Sequence, residues 1–271
     1  MSGEWARETK ATTWHHGLVA RWWAEFNTSG PEIDYFRTFV EAGQPALDVA
    51  CGTGRLLIPY LSAGLDVDGC EVSEDMLALC RERAEREGLS PRLFRQAMHE
   101  VDTGRRYRTI LVCGGFGLGA HRRLDRIALR RFHELLEPGG TLILDNEVPY
   151  SDEESWSHWT TAGRHDLPEP WTEPEERRRA SDGSEYALTG RLVDVDPLAQ
   201  RVVAELRGYR WVDDELVERD EHRLDMTVYF THELSALLEL AGFSVRLAAD
   251  HTDEEPTPDT RFVVFIARKS P

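Results

Sequence analysis

The sequence predicts an α/β protein: a parallel, doubly wound sheet with helices on both faces, interrupted late in the chain by an antiparallel β insertion. Three observations carry this expectation. Short apolar runs alternate with helical stripes through residues 46–145. The first apolar run, Ala46-Leu47-Asp48-Val49-Ala50, passes through Gly52 and Gly54 into a helical stretch. After Tyr150 the alternation lapses into three long β-type runs, then resumes at Thr231.

The 271 residues suit one α/β domain with an insertion, and 41% hydrophobic residues can fill a sizeable core. No run of about 18 apolar residues marks a membrane span. The first ten residues, Met1 to Lys10, are polar and lack the apolar stretch of a secretory signal, so a cytoplasmic location is expected. A formal charge of −17 makes a phosphate backbone a poor partner. Arg105-Arg106 and Arg177-Arg178-Arg179 read as solvated faces and loops. Cys51, Cys70, Cys80 and Cys113 form no Cys-x-x-Cys pair and have no His at zinc-ligand spacing. They read as free thiols of a reducing compartment, with no metal expected.

Each element has its own signals. Leu18, Val19, Trp22, Trp23 and Phe26 recur at helical spacing. A second helix starts at Pro31, carries Ile33, Phe36, Phe39 and Val40, and stops at Gly43. Residues 1–44 thus form a helical segment that either completes the core or acts as a lid, with Trp14 and Trp22 as candidate substrate contacts. The strand at 46–50 leads through the Gly turn to a helix at 55–63, closed by Gly64. Pro59 falls in the first turns of that helix, where it costs least. A second strand spans 65–71. Ser73 then caps a helix with Glu74 and Asp75 in its first turn, Met76, Leu77, Cys80 and Ala84 on its buried face, and Gly88 at its end. Residues 92–95 and 109–113 are strands. Leu124, Ile127, Ala128, Phe132, Leu135 and Leu136 mark a helix that Pro138-Gly139-Gly140 stops, and 141–145 is the next strand. Residues 151–230 form the insertion: an excursion rich in acids, Pro and Trp to Gly183, then strands at 185–195, 201–212 and 216–226. Asp213-Asp214 turns between the last two. Thr231 caps a helix carrying Leu234, Leu237, Leu238 and Ala241. Strands at 243–248 and 261–267 close the chain. The ligand-binding unit is therefore 45–150 together with 231–271.

The chemistry concentrates at the Gly turn. A strand running through glycines into a helix leaves backbone N–H groups aimed at a ligand, which glycine lets come close. Glu71, at the end of the next strand, is placed to accept both hydroxyls of a ribose. Together they imply a nucleoside-containing cofactor. A dinucleotide fingerprint would need a third glycine where Leu57 stands, which disfavours a nicotinamide oxidoreductase. No Gly-Lys-Ser/Thr follows the turn, so a Walker phosphate loop fails too.

Three stretches in register resemble the class I S-adenosylmethionine-dependent methyltransferases. They are Leu47-Asp48-Val49-Ala50-Cys51-Gly52-Thr53-Gly54, Gly69-Cys70-Glu71-Val72-Ser73-Glu74-Asp75-Met76-Leu77 and Leu136-Glu137-Pro138-Gly139-Gly140-Thr141-Leu142. The resemblance covers residues 45–146 and the last two strands. It implies a Rossmann-like sheet of seven strands with the final strand antiparallel, S-adenosylmethionine as cofactor, and a small-molecule substrate. It also implies roles. Asp48, Ala50, Gly52 and Gly54 would form the methionine-side turn; Glu71 and Val72 would hold the ribose edge. Met76, Gln96, Ala97 and Met98 would line the adenine, and Cys113 the end of the fourth strand. Ala50 replaces the usual first glycine. Ala97 stands where many relatives carry an acid, so adenine must be held by Gln96, backbone or water. Cys113-Gly114-Gly115-Phe116 lacks the Asn/Asp-Pro-Pro-Tyr/Phe of nucleic-acid amine methylases, which with the acidity argues against a nucleic acid substrate. The insertion is similar in layout to the antiparallel extension of small-molecule methyltransferases, a substrate cover or a contact in a homodimer.

Methyl transfer from a sulfonium is an in-line displacement, so alignment and water exclusion matter most. A hydroxyl acceptor needs a general base, whereas an amine need only arrive uncharged. Asp145 and Glu147 at the end of the fifth strand, and His121 after the fourth, are the candidate bases. Phe116, Tyr150 and Tyr229 are candidate substrate contacts. A non-catalytic sensor of the cofactor, or another sulfonium-dependent reaction on the same fold, are the alternatives.

Overall fold

The structure, a computed structural model, describes residues 12–119 and 121–271. The polar stretch Met1 to Lys10 lies outside the described residues. A mixed seven-stranded sheet forms the centre. Its strands are β1 (Ala46–Val49), β2 (Val67–Glu71), β3 (Leu93–Arg95), β4 (Tyr107–Val112), β5 (Leu136–Glu147), β10 (Phe243–Ala249) and β11 (Phe262–Lys269). Their order is β10-β11-β5-β4-β1-β2-β3, with β11 antiparallel to both neighbours. The seven strands and the reversed last strand are as expected. Every residue of β1 and β2 is buried, because helices cover both faces. The strand order reverses between β1 and β4, which opens a crevice at their carboxyl ends.

One face is covered by α5 (Arg122–Leu135) and α8 (Thr231–Leu240), whose Phe132, Leu234 and Leu238 meet Leu142, Leu144 and Phe265 of the sheet. The other is covered by α2 (Glu32–Ala42), α3 (Leu57–Ser62) and α4 (Glu74–Arg86), through Phe36, Val40, Leu57, Tyr60 and Leu77. Helix α4 keeps its expected start: the Ser73 hydroxyl accepts the Met76 N–H at 3.2 Å, and Glu74 and Asp75 occupy the first turn.

The insertion carries two short helices, α6 (Glu153–Ser157) and α7 (Thr161–Arg164), then a separate antiparallel sheet. Its strands are β6 (Arg178–Arg179), β7 (Glu185–Asp196), β8 (Arg201–Val212) and β9 (Glu215–Thr227), paired in that order. Asp213 and Asp214 both take positive φ, as a two-residue hairpin turn requires. Helix α1 (Gly17–Phe26) lies against this sheet, burying Leu18 near Tyr186.

Several boundaries differ from expectation. The helix after the Gly turn begins at Leu57, not Arg55, because the turn continues through residue 56. The fifth strand starts at Leu136, which pairs with Tyr107 before a register shift. Pro138-Gly139-Gly140 therefore lies inside the strand as an irregularity. The cause is Leu136 itself: fully buried and extended at ψ 141°, it ends α5 one residue early. Thr231 is the first helical residue of α8, and Phe230 holds the cap position without a side-chain bond. Gly43 caps α2 in an extended conformation, φ −150°. The two-residue β6 was not expected. Among the described residues no helix is long and apolar enough to cross a membrane.

Gly54 and Gly64 both have positive φ, but a Cβ at Gly54 would lie 2.8 Å from Cys80 Sγ, whereas Gly64 faces open space. Gly54→Ala should cost about 2–4 kcal/mol in a denaturant melt and Gly64→Ala about 1. Equal losses would show that contact with α4 does not constrain this turn.

Candidate functional site

A cavity of about 320 Å³ occupies the crevice at the ends of β1, β2 and β4. Its floor is the turn after β1. Ala50 there takes φ 59°, uncommon for a residue with a side chain, and Gly52 takes φ 54°. The turn is tied to β2 by Cys51 N–H donating to Cys70 O at 3.1 Å. Glu71 completes the tie. Its Oε2 accepts from Gly52 N–H at 3.2 Å, while Oε1 accepts from Val72 N–H at 2.8 Å and Ser73 N–H at 2.9 Å. Burial pushes the Glu71 pKa up, and these three donors oppose the shift. Asp48 is buried on the same floor. Desolvation first, and then the charge of Glu71, push its carboxyl up to about 8, against a backbone hydrogen bond from Leu57. All four cysteines are free thiols. Burial raises Cys70 to about 12, which makes it a packing residue.

The cavity's second wall is Val72, Met76, Ala97 and Met98. Gln96 lines it too, but its side chain is committed: Nε2 donates to Asp102 O, and Oε1 accepts from Asp102 N–H, each at 3.0 Å. It closes the loop after β3. His99 joins this wall without having been foreseen.

Residues 12–15, with Trp23 and Asn27, cover the cavity. The segment is pinned at several points. Thr12 N–H donates to Gly119 O at 2.7 Å, Ser73 Oγ to His15 O at 2.5 Å, Gly17 N–H to Asp75 at 2.8 Å and Leu18 N–H to Asp220 at 2.7 Å. The His15 ring, buried and set edge-on to Trp23 at 5.2 Å, has its pKa lowered to about 4, mainly by burial. Trp14, a candidate substrate contact, lines this first cavity and not the second; Trp22 lines neither. It packs on Phe26 under the Arg178 guanidinium, and Trp23, one position on, takes the place assigned to it.

A second cavity, about 600 Å³, shares Gly114 and Leu118 with the first. Asp145, Glu147, Asp152, Glu154 and Glu169 line it, and no Lys or Arg does among the described residues. Phe116, Trp159 and Tyr229 supply aromatic surface. Tyr229 is buried. Its ring lies 5.4 Å from that of Phe116 and beneath the Arg122 guanidinium, and its hydroxyl donates to Asp125 at 2.7 Å. Asp125 lines the first cavity, and burial raises it to about 6.

The structure thus brings together Asp48, Ala50, Gly52, Glu71, Val72, Met76, Gln96, Ala97, Met98 and Cys113 around one cavity, and Phe116, Asp145, Glu147 and Tyr229 around the other. Gly54 lines neither; it is packed against Cys80 and Ile58. His121 holds the cap position of α5 and lines neither. Tyr150 is half-exposed, stacked on Phe230, and also lines neither. Among the candidate bases, Asp145 has both oxygens engaged by Gly114, Cys113 and His251, and Glu147 is exposed and paired with Arg261 at 3.0 Å. His251, Arg55, Asp125 and Glu169 were missed. The first turn of α5 places Asp125, a loop of the insertion places Glu169, and the loop before β11 sets His251 against Asp145; no local motif marks them.

Residues 46–140 match the family of methyltransferase domains. A protein of Geobacillus sp. strain WCH70 described as a methyltransferase is 26% identical over 262 residues, 92% of this chain and 98% of that one. An S-adenosylmethionine-dependent methyltransferase from Clostridium acetobutylicum ATCC 824 shares the fold with TM-score 0.67 at 14% identity, over 89% and 92% of the two chains. A sugar N-methyltransferase from Streptoalloteichus sp. ATCC 53650 does so with TM-score 0.66 at 18% identity, over 97% and 95%. Residues 46–140 are thus similar to a methyltransferase domain, and the chain shares its fold with S-adenosylmethionine-dependent methyltransferases.

The raised Asp48 pKa has a sign that can be measured. Between its ordinary value of 3.8 and about 8, the folded state holds a proton that the unfolded state has lost. This carboxyl therefore lowers stability progressively as pH rises through that window, and the loss levels off above it. Asp48→Asn, which mimics the protonated form, should remove this component. Its denaturation midpoint should gain on wild type from pH 5 to pH 8. Parallel curves would show that Asp48 is ionised in the folded protein.

Proposed function

We propose that this chain methylates an amine of a small polar molecule, using the first cavity for S-adenosylmethionine and the second for the acceptor. The observation that carries this reading is the second cavity: five carboxylates against one histidine, His158, with aromatic walls and no Lys or Arg among the described lining residues, joined to the first cavity at Gly114. Asp145, Glu147 and Glu169 are partnered within the protein, by Gly114 and His251, by Arg261, and by His158 and Leu192. Such a lining concentrates cations and repels anions.

The first cavity suits its cofactor. A Cβ built at Gly52 would meet only Ala50 O, at 4.0 Å, and one at Gly114 nothing within 4 Å, so both backbones are open to close approach. In this reading Glu71 binds the ribose hydroxyls, Val72, Met76, Ala97 and Met98 enclose the adenine, and the turn at Ala50 and Gly52 faces the methionine part. Trp14, His15 and Trp23 act as the lid that excludes water. When bound, S-adenosylmethionine supplies a methyl group already activated by its sulfonium.

The remaining residues orient and tune the acceptor. Glu154 draws in a protonated amine, and Trp159 offers it a π face. The amine must shed its proton to become the nucleophile, and a lining carboxylate or solvent takes it up. An amine needs no strong general base. That accords with Asp145 being internally engaged and His121 standing outside both cavities. The insertion walls the acceptor site, with the sugar N-methyltransferase neighbour as a parallel in fold.

Two measurements test this. Glu71→Ala should weaken S-adenosylhomocysteine binding by roughly 1–3 kcal/mol in calorimetry, and an unchanged Kd would remove Glu71 from the ribose. Matched panels of small amines and alcohols, offered with methyl-labelled S-adenosylmethionine, should yield label on nitrogen. Glu154→Gln should raise the amine KM about two- to fivefold. Label on oxygen alone would refute the amine reading.

A further inference from the structure

The loop between β10 and β11 carries two consecutive residues of positive φ, Asp250 at 47° and His251 at 57°. Neither is glycine, and such pairs persist only where surrounding bonds fix them. Here they do. Asp250 N–H donates to Phe262 O at 2.8 Å, and Asp250 Oδ1 accepts from Phe262 N–H at 2.7 Å and Arg261 N–H at 3.0 Å. The outcome is a His251 ring turned inward, 8% exposed, among Tyr35, Phe36 and Phe262. Its Nε2 lies 2.8 Å from Asp145 Oδ2. In the tautomer with hydrogen on Nε2, the ring donates this bond to the carboxyl.

Asp145 spends its other oxygen on the loop after β4. Oδ1 accepts the Gly114 N–H at 2.5 Å. Gly114, at φ 62°, is one of two residues that line both cavities. The far end of this loop is anchored to the insertion, by Thr227 N–H donating to Gly117 O at 2.8 Å and Gly119 N–H to Asp225 O at 2.9 Å. Its near end depends on Asp145, and the orientation of Asp145 depends on His251.

We propose that His251 is a positioning residue: through Asp145 it holds the Gly114 turn at the junction of the two cavities, and so sets the alignment of acceptor to methyl donor. This rests on the reading of the cavities as donor and acceptor sites. His251 lines neither cavity, so it touches neither ligand. Asp145 thereby changes from candidate base to the link in this clamp. Methyl transfer is in line and falls steeply with misalignment, which gives a distant imidazole its leverage.

The test uses the full chain, ¹⁵N-labelled and saturated with S-adenosylhomocysteine. His251→Phe keeps the aromatic packing and removes the donor; His251→Gln keeps an N–H near the Nε2 position. Hydrogen exchange at the Gly114 amide should quicken at least about tenfold in the Phe variant and return toward wild type in the Gln variant. The Kd for S-adenosylhomocysteine should change less than about threefold in both. With an amine acceptor, kcat should fall about tenfold or more in the Phe variant, and the Gln variant should recover most of it. Wild-type exchange at Gly114 in the Phe variant would overturn the clamp. So would equal damage in both variants, which would mark His251 as a packing residue. If no amine is methylated by wild type, the functional reading fails on its own, and the amide exchange still decides the clamp.

Discussion

Three backbone N–H groups converge on one buried carboxylate, and the rest of the site is arranged around that fact. Glu71 ends β2 and bonds to Gly52, Val72 and Ser73. It thereby fixes the turn after β1, the start of the segment that caps α4, and the distance between them. Charge-assisted bonds of this kind are among the strongest available to a backbone. Without them, the left-handed conformations at Ala50 and Gly52 would have little to hold them. The same Ser73 receives Glu71's hold through its N–H, caps α4 through its oxygen and donates to His15 O of the segment before α1, so three elements are registered to one another through two neighbouring side chains.

Acidity has two separate meanings in this chain. Most of the −17 charge is solvated. A smaller set of carboxyls is buried: Asp48, Asp68, Glu71, Asp125 and Asp145, each with a specific partner. They do not act alike. Glu71 and Asp145 organise backbone, Asp125 and Asp68 each take a tyrosine hydroxyl, and for Asp48 burial first, then the charge of Glu71, favours the neutral form. Buried acids that are each answered by a donor specify geometry, because an unanswered one would be costly.

What could be read from the residues follows the range of the forces involved. The strands, the α4 cap, the Gly turn and the β8–β9 hairpin are local, and Ser73, Gly88, Asp213 and Asp214 signal them within a few positions. The Gly turn and Glu71 also announce a nucleoside cofactor, since their chemistry is bound to strand ends. The early start of β5 was hidden, because Pro138-Gly139-Gly140 resembles a break and only the burial of Leu136 beside Tyr107 turns it into strand. Gly54 was taken for a ligand contact, but its need for glycine comes from Cys80 across the helix interface. His251 lies 106 positions from Asp145 and carries no motif. Such meetings are set by topology, and a single sequence does not display them.

The insertion leaves the central sheet after β5 and rejoins it before α8, and the two ends touch: Asn146 Nδ2 donates to Tyr229 O at 3.0 Å. An excursion whose ends already meet closes no new long loop in the parent domain, and its length has little effect on the entropy of folding that domain. It behaves as a graft on a fixed stem. Strands can lengthen, helices can be added and the lining can be exchanged above the stem without moving β1, β2 or β4. Change above the stem is thereby uncoupled from the strand ends that carry the Gly52 turn and Glu71.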